Sequence, residues 1–496
     1  MTALLGLDVG TTGARCVAID ETGRVLAEAT AEYPLYSPRP GWSEQNPEDW
    51  WEASRTVIGR VAEKVGPAIA GIGLTGQMHG AVFLDGSDLV IRPALLWNDQ
   101  RTQKQCDEIT RLVGEKELIR IAGNPALTGF QAPKLLWLRD EEPQAYARMQ
   151  RLLLPKDYIR LRLTGRAATD ASDASGTLLL DLRSRDWSDE ILGALEIPRK
   201  WLADVFEGPE ATGDVPARIA GDLGLRPGIP VAAGGGDNAA AAVGSGVISG
   251  GLASCSIGTS GVLFAHSDEL SVDPSGRLHA FCHAVPGRYH LMGVSLSAGG
   301  SLRWWRDILG MATYEEMGRL AGQAPPGSEG LVFVPYLTGE RSPHLDPLAR
   351  GAFFGLSSRH SAAHMTRAVM EGVAFSLRDS LELMKQLGAA PTQVRATGGG
   401  ARSDLWRQIL ADVFDCRIAR TVSDQGPALG AALLASVAAG VHADVQEACA
   451  GIELRAEAND PDPARARIYD EYYAVYQALY PATRAHMHTL SALAGK

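Results

Sequence analysis

The chain has 496 residues and a formal net charge of −11, and 45% of its residues are hydrophobic. Because a single hydrophobic core stops growing at roughly 250–300 residues, this length predicts at least two domains. The acidic balance disfavours nucleic acids and anionic membranes as partners.

A glycine hairpin is predicted at the start of the chain. Apolar runs over 4–9 and 15–19 flank a Gly-Thr-Thr-Gly turn and predict two strands, and the segment after them predicts a third. Helical spacing of apolar residues follows over 50–64. The stretch "AIAGIGLTGQ" then predicts a strand and a loop.

A domain junction is predicted near residue 245. There "IPVAAGGGDNAAAAVGSGV" predicts a buried strand, a glycine turn at Gly234–Gly236 and a short alanine-rich helix. A second glycine hairpin follows around Gly258, and strands again precede helices in this half. We therefore predict α/β lobes over 1–245 and 246–440, around a cleft, and a helical C-terminal segment over 441–496.

The two glycine turns predict a phosphate site. Successive backbone N–H groups and hydroxyls, with no bulky side chain between them, suit phosphate oxygens. Asp8, two residues before the first turn, would then meet Mg²⁺ or its water shell. The alternatives are an Asx-type cap for Asp8 and an ordinary hairpin for the second turn.

Four further features bear on chemistry. "TGGGARS" at Thr397–Ser403 predicts a glycine loop open to a flat ring or a ribose, or else a structural turn. Asp237 is predicted to be a general base, an N-cap or both. "GIGLTG" at Gly71–Gly76 lacks the following helix of a dinucleotide site. "TDASDASGT" at Thr169–Thr177 lacks EF-hand spacing and predicts a polar loop.

Taken together, eight blocks resemble the FGGY carbohydrate kinases and run in family order over nearly the whole chain. They are "LDVGTTGAR", "GQMHG", "WNDQR", "GGGDNAA", "SIGTSG", "LTGERSPH", "GAFFGLSSRHSAAHMTRAVMEG" and "TGGGARSDLWRQILAD". The resemblance implies two actin-like, ribonuclease-H-type lobes with ATP and a sugar between them.

The resemblance also implies roles for individual residues. Asp237 would be the catalytic base, and Asp8 and Asp237 would hold Mg²⁺ through water. In "GQMHG", the Met-His pair matches the sugar-contacting pair of the D-xylulose branch, whereas glycerol kinases carry Arg-Glu there. The substrate residues would be Met78, His79, Trp97, Asp99 and Asn238. The ATP residues would be Thr11, Thr12, Gly258, Thr259, Gly398, Gly399, Gly400 and Ala401.

The expected function is ATP-dependent phosphorylation of D-xylulose, with Mg²⁺. Another ketose or glycerol, and more remotely an actin-like ATPase without a sugar, remain alternatives. Six scattered cysteines without metal-ligand spacing predict free thiols. The start of the chain lacks a signal-peptide pattern, and the longest apolar run, from Pro427, is too short to span a bilayer. We expect a cytoplasmic protein, with a homodimer as one option.

Overall fold

The computed structural model describes residues 2–423 and 425–494. The ends of the predicted segments 1–245 and 441–496, at residues 1, 495 and 496, lie outside the described residues. The strands are β1 Ala3–Val9, β2 Gly13–Ile19, β3 Val25–Glu32, β4 Glu44–Gln45, β5 Ile69–Gly76, β6 Val82–Leu84, β7 Ala94–Leu95, β8 Arg151–Leu153, β9 Ala168–Asp170, β10 Leu180–Asp181, β11 Asp186–Trp187, β12 Asp204–Phe206, β13 Ala211–Asp214, β14 Pro230–Ala232, β15 Gly235–Gly236, β16 Leu252–Ile257, β17 Gly261–Ser267, β18 His279–Cys282, β19 Tyr289–Ser295, β20 Val332–Val334, β21 Ala352–Phe354, β22 Gln393–Thr397 and β23 Arg417–Ala419.

The helices lie mostly between and after these strands. They are α1 Pro47–Val65, α2 Gln103–Val113, α3 Glu115–Ala122, α4 Gln131–Glu141, α5 Pro143–Arg148, α6 Pro155–Thr164, α7 Ala171–Ala174, α8 Asp189–Ala194, α9 Ala217–Leu223, α10 Asp237–Gly244, α11 Gly299–Leu309, α12 Tyr314–Ala321, α13 Ala362–Gln386, α14 Asp404–Phe414, α15 Gly426–Ala438, α16 Val445–Cys449 and α17 Pro463–Ala494.

Two large sheets repeat one pattern. The first has the order β13-β14-β5-β1-β2-β3, and the second has the order β18-β19-β17-β16-β22-β23. In the first sheet, β1 pairs antiparallel with β2 and parallel with β5. In the second, β16 pairs antiparallel with β17 and parallel with β22. Both predicted glycine hairpins and the predicted α/β class are therefore confirmed.

Helix α15 packs against the first sheet through glycines. Gly6 of β1 and Gly73 of β5 are partners in the ladder. A Cβ atom on Gly6 would lie 1.8 Å from the Ala428 carbonyl oxygen, and one on Gly73 would lie 1.8 Å from that of Ala431. A side chain at either position is thus incompatible with this helix–sheet distance.

The same helix contacts α10 just as closely. A Cβ atom on Gly430 would lie 1.8 Å from the Ala240 carbonyl oxygen. Helix α15 belongs by sequence position to the predicted 246–440 lobe, yet it covers the sheet of the preceding lobe. The division of the chain at 1–245, 246–440 and 441–496 therefore stays a proposal. It must allow for helix α15, which packs on the first lobe although it follows the second sheet in the sequence.

Two local predictions are wrong. Gly235 and Gly236 do not form a turn but the short strand β15, which pairs with the end of β5. The segment Thr169–Thr177 is not an exposed polar loop: it contains α7 and is buried throughout. In both cases contacts with residues distant in the sequence, and not the local composition, determine the conformation.

Two further predictions concern the longest apolar run and the cysteines. The apolar run from Pro427 falls largely in α15, where most side chains are buried, as predicted. Among the described residues, no helix is long and apolar enough to cross a membrane. All six cysteines are buried free thiols.

The glycine contact predicts a large stability difference between two alanine variants. Gly73→Ala should destabilise the protein by about 3 kcal/mol, because the added methyl group overlaps the backbone of α15. Gly59→Ala is the control, since nothing lies within 4 Å of a Cβ atom there and alanine favours helix α1 by about 1 kcal/mol. Denaturant unfolding measures both. Equal stability of the two variants would contradict the contact.

Candidate active site

Three cavities lie side by side along the cleft. The first, of about 210 Å³, is lined chiefly by Met78, His79, Trp97, Phe130, Asp237, Asn238, His279, Phe281 and Arg341. The second, of about 410 Å³, shares Asp237 and Asn238 with the first and adds Gly398, Gly399 and Arg402. The third, of about 640 Å³, shares Gly399 and Arg402 with the second and adds Gly258, Thr259 and Gly400.

Strand pairing sets the positions of Asp8 and Asp237. Asp8 lies in β1 opposite Thr75 of β5, and Gly235 of β15 pairs with Thr75 from the other side. Asp237 follows β15 directly and is the first residue of α10, whose N-cap is Gly236. The prediction that Asp237 caps this helix is therefore wrong by one position. Its Oδ1 instead accepts hydrogen bonds from the backbone N–H (2.7 Å) and the side-chain amide (2.9 Å) of Asn238.

Both carboxyl groups resist ionisation in the ligand-free protein. Burial raises the pKa of Asp237 to about 6, against the hydrogen bonds from Asn238. Burial and the charge of Asp237 raise the pKa of Asp8 to about 7, against the attraction of Arg15. Asp8 Oδ1 is buried and has no hydrogen-bond partner among the described residues. Asp8 lies within a strand, so the Asx-cap alternative is wrong.

The two glycine turns expose backbone donors. Neither turn uses the N–H groups of Thr11, Thr12 or Thr259 in any hydrogen bond between described residues. Gly258 and Thr259 are exposed, and their carbonyl oxygens accept hydrogen bonds from the first N–H groups of α11. In each turn, backbone N–H groups are therefore free of acceptors within the protein and available to bind an anion.

Thr11 also connects the first turn to the first cavity. Its hydroxyl accepts a hydrogen bond from the Trp97 indole N–H at 3.0 Å and donates one to Gln77 at 3.3 Å. Trp97 is 41% exposed and lines the first cavity. The predicted substrate and phosphate residues are thus in direct contact at this point.

A strained histidine lies in the first cavity. His79 has φ = +67°, and its Nδ1 lies 2.6 Å from the Gly176 carbonyl oxygen. That acceptor requires a proton on Nδ1 and leaves Nε2 as an acceptor. Burial lowers the pKa of His79 to about 3, so the ring is neutral. Lys134, missed in the sequence, donates to the His79 carbonyl oxygen at 3.0 Å and holds this backbone in place.

Five predicted site residues line none of the three cavities: Asp8, Thr11, Thr12, Asp99 and Ala401. Asp99 is fully buried, where it accepts hydrogen bonds from the Ser43 backbone and forms an ion pair with Arg101. Ala401 is also fully buried, and its carbonyl oxygen accepts a hydrogen bond from Arg407. Both have these polar groups paired within the protein, and their assignment to the substrate and ATP sites stays a prediction. The glycines at 398–400 do line the second and third cavities.

Four cavity residues escaped the sequence reasoning. Phe130, His279, Phe281 and Arg341 line the first cavity although they come from distant segments. Only Arg341 carried a signal, because it stands inside the block "LTGERSPH". The adjacent charges Glu340 and Arg341, next to Gly339, could have been singled out there.

A buried ionic cluster supports the backbone before Asp237. The Ser172 hydroxyl accepts a hydrogen bond from the Gly236 N–H at 3.1 Å and donates to Asp170. Lys156 forms ion pairs with Asp170 and Asp157. The corrected segment Thr169–Thr177 thus fixes the strand that leads into α10.

Family models match both halves of the chain. The N-terminal domain of the FGGY family of carbohydrate kinases matches residues 3–244, and its C-terminal domain matches residues 253–439. The chain belongs to the FGGY family of carbohydrate kinases. The predicted resemblance is confirmed, and the chain is a sugar kinase.

Full-length relatives support the same membership. The chain is 41% identical to a xylulose kinase of Escherichia coli, covering 96% of this chain and 98% of the relative. It is 40% identical to a xylulose kinase of Lactococcus lactis, covering 99% of each. A solved xyloylose kinase from Brucella ovis superposes with a TM-score of 0.92 at 41% identity, covering 97% of this chain and 99% of that one. The predicted two-lobed actin-like fold is thus confirmed.

The raised carboxyl pKa values predict a pH-dependent stability. Between the ordinary aspartate pKa and about pH 6–7, the unfolded chain loses protons that the folded protein keeps, so stability falls as pH rises through this window. A shift from 3.8 to about 6 for Asp237 corresponds to about 3 kcal/mol. Ligand-free Asp237→Asn should therefore lose less Tm between pH 5 and pH 8 than the unsubstituted protein.

Asp273→Asn provides a control, because the pKa of Asp273 is shifted in the opposite direction to that of Asp237. Although Asp273 is buried, hydrogen bonds from Arg277 hold its pKa below the ordinary value. Its substitution should lower Tm throughout this range without changing the slope between pH 5 and pH 8. Equal slopes for Asp237→Asn and the unsubstituted protein would contradict the raised pKa.

Proposed function

We propose that this sugar kinase transfers the γ-phosphoryl group of ATP to the terminal hydroxyl of D-xylulose, giving D-xylulose 5-phosphate. The observation that carries the proposal is the position of Asp237, which lines the first and the second cavity at once. The sugar occupies the first cavity, the phosphate chain the second, and the adenosine the third. The names of the full-length relatives support D-xylulose as the sugar.

Asp237 acts as the general base. It accepts the proton of the sugar hydroxyl as the O–P bond forms and the bond between the γ-phosphorus and the ADP oxygen breaks. With a pKa of about 6, the carboxylate is mostly ionised at pH 7.5 in the ligand-free protein. Asn238, through its two hydrogen bonds to Oδ1, keeps the carboxylate oriented.

The phosphate chain is bound from both lobes. Thr11 and Thr12 donate to it from the first turn, and Gly258 and Thr259 approach it from the second turn, where they line the third cavity. Gly398 and Gly400 let this loop pack against Ile257, which Cβ atoms at these positions would overlap, and at Gly399 a Cβ atom would meet nothing within 4 Å, so the nucleoside can lie against the loop there. Closure of the lobes excludes water from the reacting hydroxyl.

Mg²⁺ fits the two carboxyl groups. Asp8 Oδ1 is buried without a partner among the described residues, and the repulsion from Asp237 is relieved by a cation. No group of three or more metal-binding side chains occurs in the described parts of the chain, so Asp8 and Asp237 are the carboxyl groups that would hold the ion. When bound, Mg²⁺ neutralises charge on the phosphate oxygens. The cytoplasmic location and the homodimer stay predictions.

The substrate assignment is tested with a panel of acceptors. An ADP-release assay compares D-xylulose, D-ribulose, L-ribulose, L-fuculose, L-rhamnulose and glycerol. D-Xylulose should give the highest kcat/KM, because the apolar Met78 and the neutral acceptor of His79 match the D-xylulose branch. Faster turnover of glycerol, or of any other ketose, would overturn the assignment.

The role of Asp237 is tested by substituting asparagine for it. Asp237→Asn keeps the shape but cannot accept the proton, so kcat should fall by about 10²–10⁴. KM for ATP should stay within a few-fold, because Asp237 lies outside both turns. A loss of activity with retained Tm identifies the base, whereas a variant that keeps more than about a tenth of kcat leaves Asp237 without that role.

A further inference from the structure

The C-terminal helix α17 packs on a loop of the first cavity. This cavity loop, residues 335–351, connects β20 to β21 and carries Arg341, which lines the cavity. Helix α17 begins at Pro463, after the matched family domains end at residue 439. Membership of the family therefore assigns no role to α17 or to its contacts with the cavity loop.

The buried tyrosines of α17 form two groups. Tyr469 and Tyr473 donate hydrogen bonds from their hydroxyl groups to carboxylates of α13, at 2.8 and 2.7 Å. Tyr476 and Tyr480, further along the helix, contact residues of the cavity loop instead. The first part of α17 is thus fixed to α13, and the second part is fixed to the loop.

Asp346 joins the cavity loop to this helix. Its Oδ2 is an acceptor for the Tyr480 hydroxyl and for His488 Nε2, each at 2.7 Å. Although burial opposes it, these hydrogen bonds hold the pKa of Asp346 below its ordinary value, so the carboxylate is ionised. The backbone N–H and C=O of Asp346 pair with those of Glu340, both at 2.9 Å. Asp346 therefore contacts α17 through its side chain and closes the segment 340–346 through its backbone.

A strained residue connects this contact to Arg341. Leu345 has φ = +49°, which is unfavourable for a leucine and persists only where neighbouring contacts fix it. Its N–H donates to the Arg341 carbonyl oxygen at 2.6 Å. Asp346 follows Leu345, and His344 precedes it and stacks on the Tyr480 ring with centroids 3.7 Å apart. Tyr480 thus contacts both neighbours of the strained residue.

The side chain of Arg341 is not held by other side chains. Among residues 2–423 and 425–494, no hydrogen bond or ion pair reaches its guanidinium group. Its backbone N–H donates to Glu340 Oε1 at 2.8 Å, and its carbonyl oxygen accepts from Leu345. The position of Arg341 in the first cavity therefore depends on the backbone of the cavity loop.

We propose that the C-terminal part of α17 positions the cavity loop for sugar binding, with Tyr480 as the positioning residue. Tyr480 holds His344 and Asp346, and these hold Leu345, which hydrogen-bonds the Arg341 backbone. Tyr480 lines none of the three cavities, so it acts by removing loop freedom that sugar binding would otherwise have to remove. The proposal rests on the proposed function, which places the sugar in the first cavity.

Removing one hydroxyl group tests the proposal. In Tyr480→Phe the ring can still stack on His344, but Asp346 loses one donor. KM for the best acceptor of the panel should rise about three- to tenfold, the effect of one buried hydrogen bond, while KM for ATP stays within about twofold. The sugar's Kd, measured by isothermal titration without ATP, should rise by the same factor. An unchanged affinity for the sugar would overturn the proposal.

Tyr469→Phe is the matched control. Tyr469 is a buried tyrosine of the same helix, and its hydroxyl also donates to a buried carboxylate, that of Glu371 on α13. Its substitution should lower Tm, as Tyr480→Phe does, and leave both KM values unchanged. An equal rise in the KM for the sugar would show that lost stability is responsible, and it would overturn the role of Tyr480.

The second donor to Asp346 provides a rescue experiment. His488→Leu removes this donor and should raise the KM for the sugar as Tyr480→Phe does. His488→Gln retains an amide N–H and should restore most of the affinity. If the two variants of His488 bind the sugar equally, the hydrogen bond to Asp346 does not position the loop, and the proposal is wrong.

Arg341→Gln separates this proposal from the proposed function. It should itself raise the KM for the sugar, and an unchanged value would show that the sugar is wrongly placed in the first cavity. If Arg341→Gln weakens sugar binding and Tyr480→Phe does not, only the positioning by α17 is wrong. The panel of acceptors decides the identity of the sugar independently, because every variant is measured with the best acceptor.

Discussion

The contact on which the cleft depends is the backbone-to-backbone packing of helix α15. Glycines at Gly6 and Gly73 let this helix approach the first sheet without side chains between them, and Gly430 does the same against α10. Strand β1 carries Asp8 and α10 begins at Asp237. One helix therefore sets the distance between the strand and the helix that hold the two acidic groups.

Charge is balanced beneath the site and unbalanced within it. Below α10, Lys156 forms ion pairs with Asp157 and Asp170, and burial raises the pKa of the nearby Asp173. At the cleft, by contrast, Asp8 Oδ1 and the Arg341 guanidinium lack partners among the described residues. The ion pairs of Lys156 support the backbone of the site, whereas Asp8 is left to pair with the proposed Mg²⁺.

Local sequence patterns predicted the elements whose conformation is determined by residues close together in the sequence. Both glycine hairpins, helix α1 and the buried helix α15 follow from turn residues and apolar spacing. The burial of Asp99 and Ala401 was not predicted, because their pairing with the nearby Arg101 and Arg407 leaves no signal in turn residues or apolar spacing. Arg341 had no assigned role, because its lack of a partner is visible only when every neighbouring segment is in place.

Helix α15 also has a consequence for synthesis on the ribosome. The first sheet is complete once β15 has emerged, but the helix that covers its glycine face ends only at residue 438. Until then, the nascent first lobe presents an open backbone surface on β1 and β5. The final packing of the first lobe therefore waits until most of the chain has been synthesised. A gene divided between the lobes would yield an N-terminal half that lacks part of its own core.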